Sequence, residues 1–211
     1  MPPSAEIERI LRLSPVMPVV VIEDAAIAPE LARAFVQGGI RVVEITLRTP
    51  AALASIEAIA RNVPEIAVGA GTVLSTADLR AAADAGATFA ISPGSTPALL
   101  ADAAAGRLPY LPAVATASDL MQGLAAGYHC FKFFPAAAAG GIAMLKAFAG
   151  PFPQARFCPT GGITQDSVRS YLELPNVLCA GGSWLSPADA LAARDWKRIE
   201  SLAARAAGSR T

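Results

Sequence analysis

The sequence predicts a single (β/α)8 barrel over residues 1–211, an α/β fold, with an additional N-terminal helix. Three observations carry that prediction. Eight short apolar runs rich in Val, Ile and Phe recur along the chain, each too short for a helix and bounded by Gly, Pro or Asn. Ala-rich stretches with helical character separate them. No run leads into the full GxGxxG pattern of a dinucleotide-binding open sheet, because Gly69-Ala70-Gly71 lacks the third glycine. A doubly wound open sheet is the alternative, and the count of eight units favours the barrel.

The expected strands are residues 16–22, 40–46, 66–70, 88–92, 108–113, 128–134, 156–160 and 177–180. The first helix between them, 29–37, stops at Gly38-Gly39. The next, 50–61, opens on Pro50 and carries Leu53, Ile56 and Ile59 at helical spacing. The stretch 76–85 starts at Thr76, a suitable N-cap, and stops at Gly86. Residues 96–105, 118–126, 141–149, 164–172 and 187–206 complete the set, the last with a break near Asp195. Residues 1–14 form a short amphipathic segment with Glu6, Glu8, Arg9 and Arg12 rather than a signal peptide.

Composition narrows the function. The chain is 54% hydrophobic and 16% charged, which fits a folded domain and not a disordered one. Seventeen basic and seventeen acidic residues cancel, so bulk charge offers nothing to nucleic acid or to an anionic membrane. No apolar run reaches the length of a membrane span. Cys130, Cys158 and Cys179 are widely spaced in strand-like runs and read as buried free thiols, which suits the cytoplasm. His129 is the only histidine and no ligand cluster accompanies it, so a zinc site is not expected, with an all-carboxylate magnesium site as the alternative, and no cofactor is expected.

One residue stands out. The chain has three lysines, and Lys132 lies in the middle of an aromatic, strand-like run ending in Phe134 and Pro135. A charge there is costly to bury. Either its amine reaches water along the strand edge, or desolvation lowers its pKa so that the neutral amine attacks a carbonyl. An ordinary lysine, of pKa ~10.4, is neutral in only about one molecule in 2,500 at pH 7. Burial can shift that balance by ~3 units.

In a barrel the site forms at the C-terminal strand ends. Strand parity puts Tyr128, Cys130, Lys132 and Phe134 on one face and Ile40, Val42 and Glu44 on another. If both faces turn inward, the interior holds one amine and one carboxylate, with His129, Phe131 and Phe133 toward the helices. Glu44 is then a structural counter-ion, a general acid/base, or both. Arg48, past the strand end, suits bidentate binding of a substrate carboxylate, or is simply solvated. Thr72 and the backbone around Pro93 offer further hydrogen bonds. Glycines 161, 162 and 182, with Ser183, follow the last two strands, where barrels of this kind bind phosphate on exposed backbone N–H groups. Two tight turns with nothing bound are the alternative.

Six blocks then resemble a known family: Arg41-Val-Val-Glu-Ile-Thr-Leu-Arg48, Val68-Gly-Ala-Gly-Thr-Val73, Phe89-Ala-Ile-Ser-Pro-Gly94, Phe131-Lys-Phe-Phe-Pro135, Arg156-Phe-Cys-Pro-Thr-Gly-Gly-Ile163 and Gly181-Gly-Ser-Trp184. Together they resemble the 2-keto-3-deoxy-6-phosphogluconate (KDPG) aldolases, also called 2-keto-4-hydroxyglutarate (KHG) aldolases. The resemblance implies a metal-independent class I aldolase that forms a homotrimer. It assigns Lys132 as the Schiff-base lysine and Glu44 as the acid/base. It implies pyruvate binding by Arg48 and Thr72 with Pro93 close by, a pocket wall at Phe134, contact with the hydroxylated part of the substrate at Thr160, and phosphate binding by Gly161, Gly162, Gly182 and Ser183. The chain departs from the family pattern at residues 136–139, all alanine, and at Ala113-Val114-Ala115-Thr116. The function expected from the resemblance is cleavage of 2-keto-3-deoxy-6-phosphogluconate to pyruvate and glyceraldehyde 3-phosphate. A 2-keto-4-hydroxyglutarate aldolase or an oxaloacetate decarboxylase using the same imine, or a non-catalytic barrel that binds phosphate or keto acids, are the rival functions.

Overall fold

The computed structural model describes residues 3–210. An opening helix, α1 (Pro3–Leu11), precedes β1 (Val16–Val20), α2 (Ala28–Gln37), β2 (Val42–Thr46), α3 (Ala52–Asn62), β3 (Ala67–Gly71), α4 (Thr76–Asp84) and β4 (Phe89–Ile91). Then come α5 (Pro97–Ala105), β5 (Tyr110–Leu111), β6 (Ala113–Val114), α6 (Ala117–Ala125), β7 (Cys130–Phe133), α7 (Gly141–Ala149) and β8 (Arg156–Pro159). The chain closes with α8 (Val168–Leu172), β9 (Ala180–Gly182), α9 (Ala188–Ala192) and α10 (Trp196–Ala207).

All the ladders are parallel. Six strands pair in the order β5-β4-β3-β2-β1-β9 and three in the order β6-β7-β8, giving a curled parallel sheet in two hydrogen-bonded pieces. This departs from the unbroken eight-strand ladder expected from sequence. The fifth expected strand is interrupted at Pro112, which has no N–H to donate. Its first half pairs with β4 and its second half with β7. Isolated bridges, Phe157 to Val177 and Thr160 to Gly181, join β8 to the segment ending in β9.

Two expected strands start late for a common reason. Gly39 and Gly127 adopt positive φ, and the N–H groups of Ile40 and Tyr128 return to Phe35 O and Gly123 O. These are Schellman caps, and the residue after such a glycine makes the apolar contact that seals the helix end. Ile40 and Tyr128 are therefore cap residues, not strand residues. Strand parity does not reach them: both pack in the layer between sheet and helices. Tyr128 donates to Leu100 O at 2.8 Å, and His129 is exposed rather than packed on a helix.

The helix starts also shift. Ser75, not Thr76, caps α4 in a capping box with Asp78, and Thr116 does the same for α6 with Asp119. Residues 164–167 form a hydroxyl-bonded turn of Thr164 and Ser167 in place of a helix. The last helix divides where expected: Arg194 takes φ 53° and Asp195 caps α10.

The core has two layers. Phe131, Phe133, Phe157, Val43 and Ile45 pack between sheet and helices. A second cluster fills the inner face of the sheet: Met17, Val42, Phe89, Ile91, Leu111, Cys130 and Cys158, with Ile7, Ile10 and Leu11 of α1. Met17, Val42 and Cys130 lie at or next to the starts of their strands, so α1 covers the N-terminal end of the sheet. Burial pushes the Cys130 thiol up to about 12, which keeps it protonated. None of the three buried cysteines is in a disulfide.

Candidate active site

On β7 the side chains alternate. Phe131 and Phe133 face the helices, while Cys130 faces the inner cluster, and Lys132 follows Cys130 on that inner face. On β2, Val42 belongs to the inner cluster, and Glu44 comes two residues later. The two polar side chains meet there. Lys132 Nζ donates to Glu44 Oε1 at 2.9 Å and Oε2 at 3.2 Å. Lys132 is 5% exposed and Glu44 1%. Neither charge is affordable alone at that depth, and removal of one partner from such a pair typically destabilises by about 3–5 kcal/mol. The Phe134 ring lies 5.4 Å from Nζ, close enough for a cation–π contact.

Space for the carboxylate comes from β3. Gly69 stands opposite Glu44 and Gly71 opposite Thr46 in the parallel register. A Cβ on Gly71 would lie 2.1 Å from Glu44 Oε1, and one on Gly69 would lie 2.3 Å from the Phe89 ring. The two glycines that look like an incomplete nucleotide fingerprint are thus clearances for a carboxylate and a core aromatic. Gly71→Ala is expected to push Glu44 off Lys132 and to cost up to about 3–5 kcal/mol of stability, read from the urea midpoint. An unchanged midpoint would show that Glu44 has another buried position open to it.

Past the strand ends, Thr72 takes φ 60°, a strained position for a β-branched residue. It is half-buried, as is Pro93. Arg48 is exposed, and among the described residues its guanidinium has no hydrogen bond or ion pair, which leaves it available to an anion. Pro93, Phe134, Val114 and Ala115 are among the residues that line a small cavity of about 110 Å³.

The ends of β7 and β8 interlock. Ala136 N donates to Thr160 O at 2.7 Å and Ala137 N to Gly161 O at 3.0 Å. Thr160 is buried, and its hydroxyl occupies the space that a side chain on Gly181 would need. Gly161 and Gly162 both take positive φ, and a Cβ on Gly162 would collide with Ala137. The alanines at 136 and 137, where the family pattern differs, are therefore part of the packing of this turn. Gly182 lies beneath the Trp184 ring, and Ser183 is exposed beside it.

The structure thus brings Lys132, Glu44 and Phe134 together. Gly161 approaches Phe134, and Thr160 approaches Gly181. Arg48 and Ser183 stand at the solvent edge, without side-chain partners among the described residues. Gly71 escaped the sequence analysis as a site residue, although its place opposite the strand carrying Glu44 would have revealed it. Among the described residues, no three His, Cys, Asp or Glu side chains gather as a metal site. No described helix is long and apolar enough to cross a membrane.

A buried amine held against a carboxylate, below a rim of glycine turns and one unpaired arginine, is the equipment of an enzyme that modifies a carbonyl through an imine. Comparison with known proteins narrows the class. Residues 7–202 match the aldolase family described as KDPG and KHG aldolase. The KHG/KDPG aldolase of Escherichia coli K12 is 54% identical over 199 residues, 94% of this chain and 93% of that one. A KDPG aldolase structure from Legionella pneumophila, with pyruvate captured at low pH as a covalent carbinolamine intermediate, superposes with a TM-score of 0.93 at 47% identity, covering 95% of this chain and 98% of that one. The Zymomonas mobilis ZM4 enzyme, solved with 3-phosphoglycerate, gives 0.94 at 48% identity, covering 98% and 97%. The chain belongs to the KDPG and KHG aldolase family.

Proposed function

We propose that this protein is a class I aldolase that cleaves 2-keto-3-deoxy-6-phosphogluconate to pyruvate and glyceraldehyde 3-phosphate. The buried contact between Lys132 and Glu44 carries this reading. Lys132 passes a proton to Glu44 across the 2.9 Å contact and attacks the C2 ketone. Glu44 gives that proton back to the carbinolamine hydroxyl, which leaves as water, so that a protonated imine and a free Glu44 carboxylate result. Glu44, directly or through a water, takes the proton of the C4 hydroxyl, and the C3–C4 bond breaks. Its electron pair moves to the imine nitrogen, which leaves an enamine and the free aldehyde. Protonation at C3 and hydrolysis release pyruvate and restore Lys132.

In this reading Arg48 and Thr72 hold the pyruvate carboxylate, and Pro93 and Phe134 wall the pocket. Thr160 faces the hydroxylated carbons. Gly161, Gly162, Gly182 and Ser183 hold the phosphate. Relatives whose structures carry a pyruvate carbinolamine and 3-phosphoglycerate support a keto-acid end and a phosphate end. The double name of the Escherichia coli relative favours a second substrate, 2-keto-4-hydroxyglutarate, at the same imine. The closed eight-strand barrel, a single domain over 1–211, a homotrimer and a cytoplasmic location belong to the same proposal. The bridges from β8 to Val177 and Gly181 support the closure, and three buried cysteines outside any disulfide support the location.

Borohydride reduction in the presence of pyruvate tests the proposal. The expected result is one irreversible adduct on Lys132, located by peptide mass spectrometry. A folded protein that gives no adduct, or gives it at Lys146 or Lys197, is instead a non-catalytic binder or uses another mechanism. Ser183→Ala is expected to raise KM for phosphorylated substrate about tenfold, the worth of one charge-assisted hydrogen bond. Unphosphorylated 2-keto-4-hydroxyglutarate should be cleaved as before. Equal losses on both substrates would remove Ser183 from the phosphate site.

A further inference from the structure

The β1–β2 ladder ends with Val20 opposite Ile45. Beyond that point side chains continue it. Thr46 Oγ1 donates to Val20 O at 3.0 Å, and Thr49 Oγ1 donates to Ile22 O. On the other side, Leu47 N donates to Gly71 O at 2.8 Å, and Arg48 N turns back to Thr46 O at 2.8 Å. The four residues 46–49 are thus tied by two hydroxyls to β1 and the segment just past it, and to β3 by one amide. Thr46 is buried and Thr49 half-buried. Among the described residues, the one polar side chain of the four left without a hydrogen bond or ion pair is that of Arg48.

We infer that Thr46 and Thr49 are positioning residues that hold Arg48 over the site. The inference rests on the aldolase reading, in which Arg48 receives the substrate carboxylate. A flexible arginine binds a carboxylate well only when its backbone is fixed, because the freedom lost on binding subtracts from affinity. A loop leaving a strand end has no ladder to fix it. The two hydroxyls supply that ladder, and because each gives its only proton to a backbone carbonyl, of Val20 in β1 or of Ile22 just past it, neither is free to donate to substrate. The effect on chemistry therefore passes through Arg48 and not through the threonines themselves.

The test is the pyruvate dependence of borohydride trapping at Lys132, measured on the full chain. Thr49→Val keeps the shape and removes the donor. It is expected to raise the half-saturating pyruvate concentration about 5- to 10-fold, with the limiting trapping rate within about twofold of wild type. Thr49→Ser, which keeps the donor, should restore wild-type saturation. In an Arg48→Gln background, Thr49→Val should add less than about twofold, because the group it positions is gone. Thr46→Val, run through the same cycle, should behave alike and serves if Thr49→Val does not fold. An equal increase with and without Arg48, an unchanged half-saturation, or a loss confined to the limiting rate would overturn the inference while leaving the aldolase intact. Absence of any adduct in the wild-type protein would instead remove the aldolase reading and this inference with it.

Discussion

Lys132→Met is expected to abolish the pyruvate adduct and to lower turnover by a factor on the order of 10⁴–10⁶, as loss of a covalent nucleophile does. Methionine fills a similar volume without a charge, so the barrier to chemistry is removed from considerations of packing. Stability should fall as well. Glu44, 1% exposed, would be left as a buried carboxylate without its amine, at a cost of about 3–5 kcal/mol. Adding Glu44→Gln to Lys132→Met should return much of that stability and none of the activity. Urea denaturation and steady-state kinetics on the single and double variants separate the two effects. Turnover above a tenth of wild type in Lys132→Met would place the nucleophile elsewhere.

Glu44→Gln alone makes the complementary case. The amide oxygen still accepts from Lys132 Nζ, so the fold and the position of the amine should persist. An amide takes no proton, however, and the steps that move one should slow. Turnover is expected to drop by roughly 10²–10⁴, with a pyruvate adduct still forming at Lys132 but more slowly. If turnover matches wild type, Glu44 is a counter-ion only, and the proton acceptor must be sought among waters or other rim groups.

Much of this site was legible because strand alternation and burial cost act on few residues at a time. Lys132 was conspicuous as the one lysine in a strand, and the two-residue period linked Val42 to Glu44 and Cys130 to Lys132. The same period misled at Ile40 and Tyr128. Their apolar character serves helix caps, and the glycines before them, already visible as stop signals, were the warning. Gly71 was hidden for another reason. An absent side chain is informative only when the neighbour that needs the space is known, and that neighbour, Glu44, sits on a different strand. The hydroxyls of Thr46 and Thr49 were hidden likewise, because their acceptors are backbone carbonyls about 26 residues away. The interruption at Pro112 could have been anticipated, since proline in an interior strand cannot complete a ladder.

The helix that precedes the first strand has a kinetic meaning. With Ile7, Ile10 and Leu11 packed against the inner cluster, the lower end of the sheet is shut to traffic. In the proposed closed barrel, substrate, the water that hydrolyses the imine, and both products share one doorway at the rim. In the proposed reaction the aldehyde half lies toward that doorway, while the three-carbon half stays bonded to Lys132 beneath it. Departure is therefore sequential: the phosphorylated aldehyde clears the mouth first, and pyruvate follows once water has taken its place.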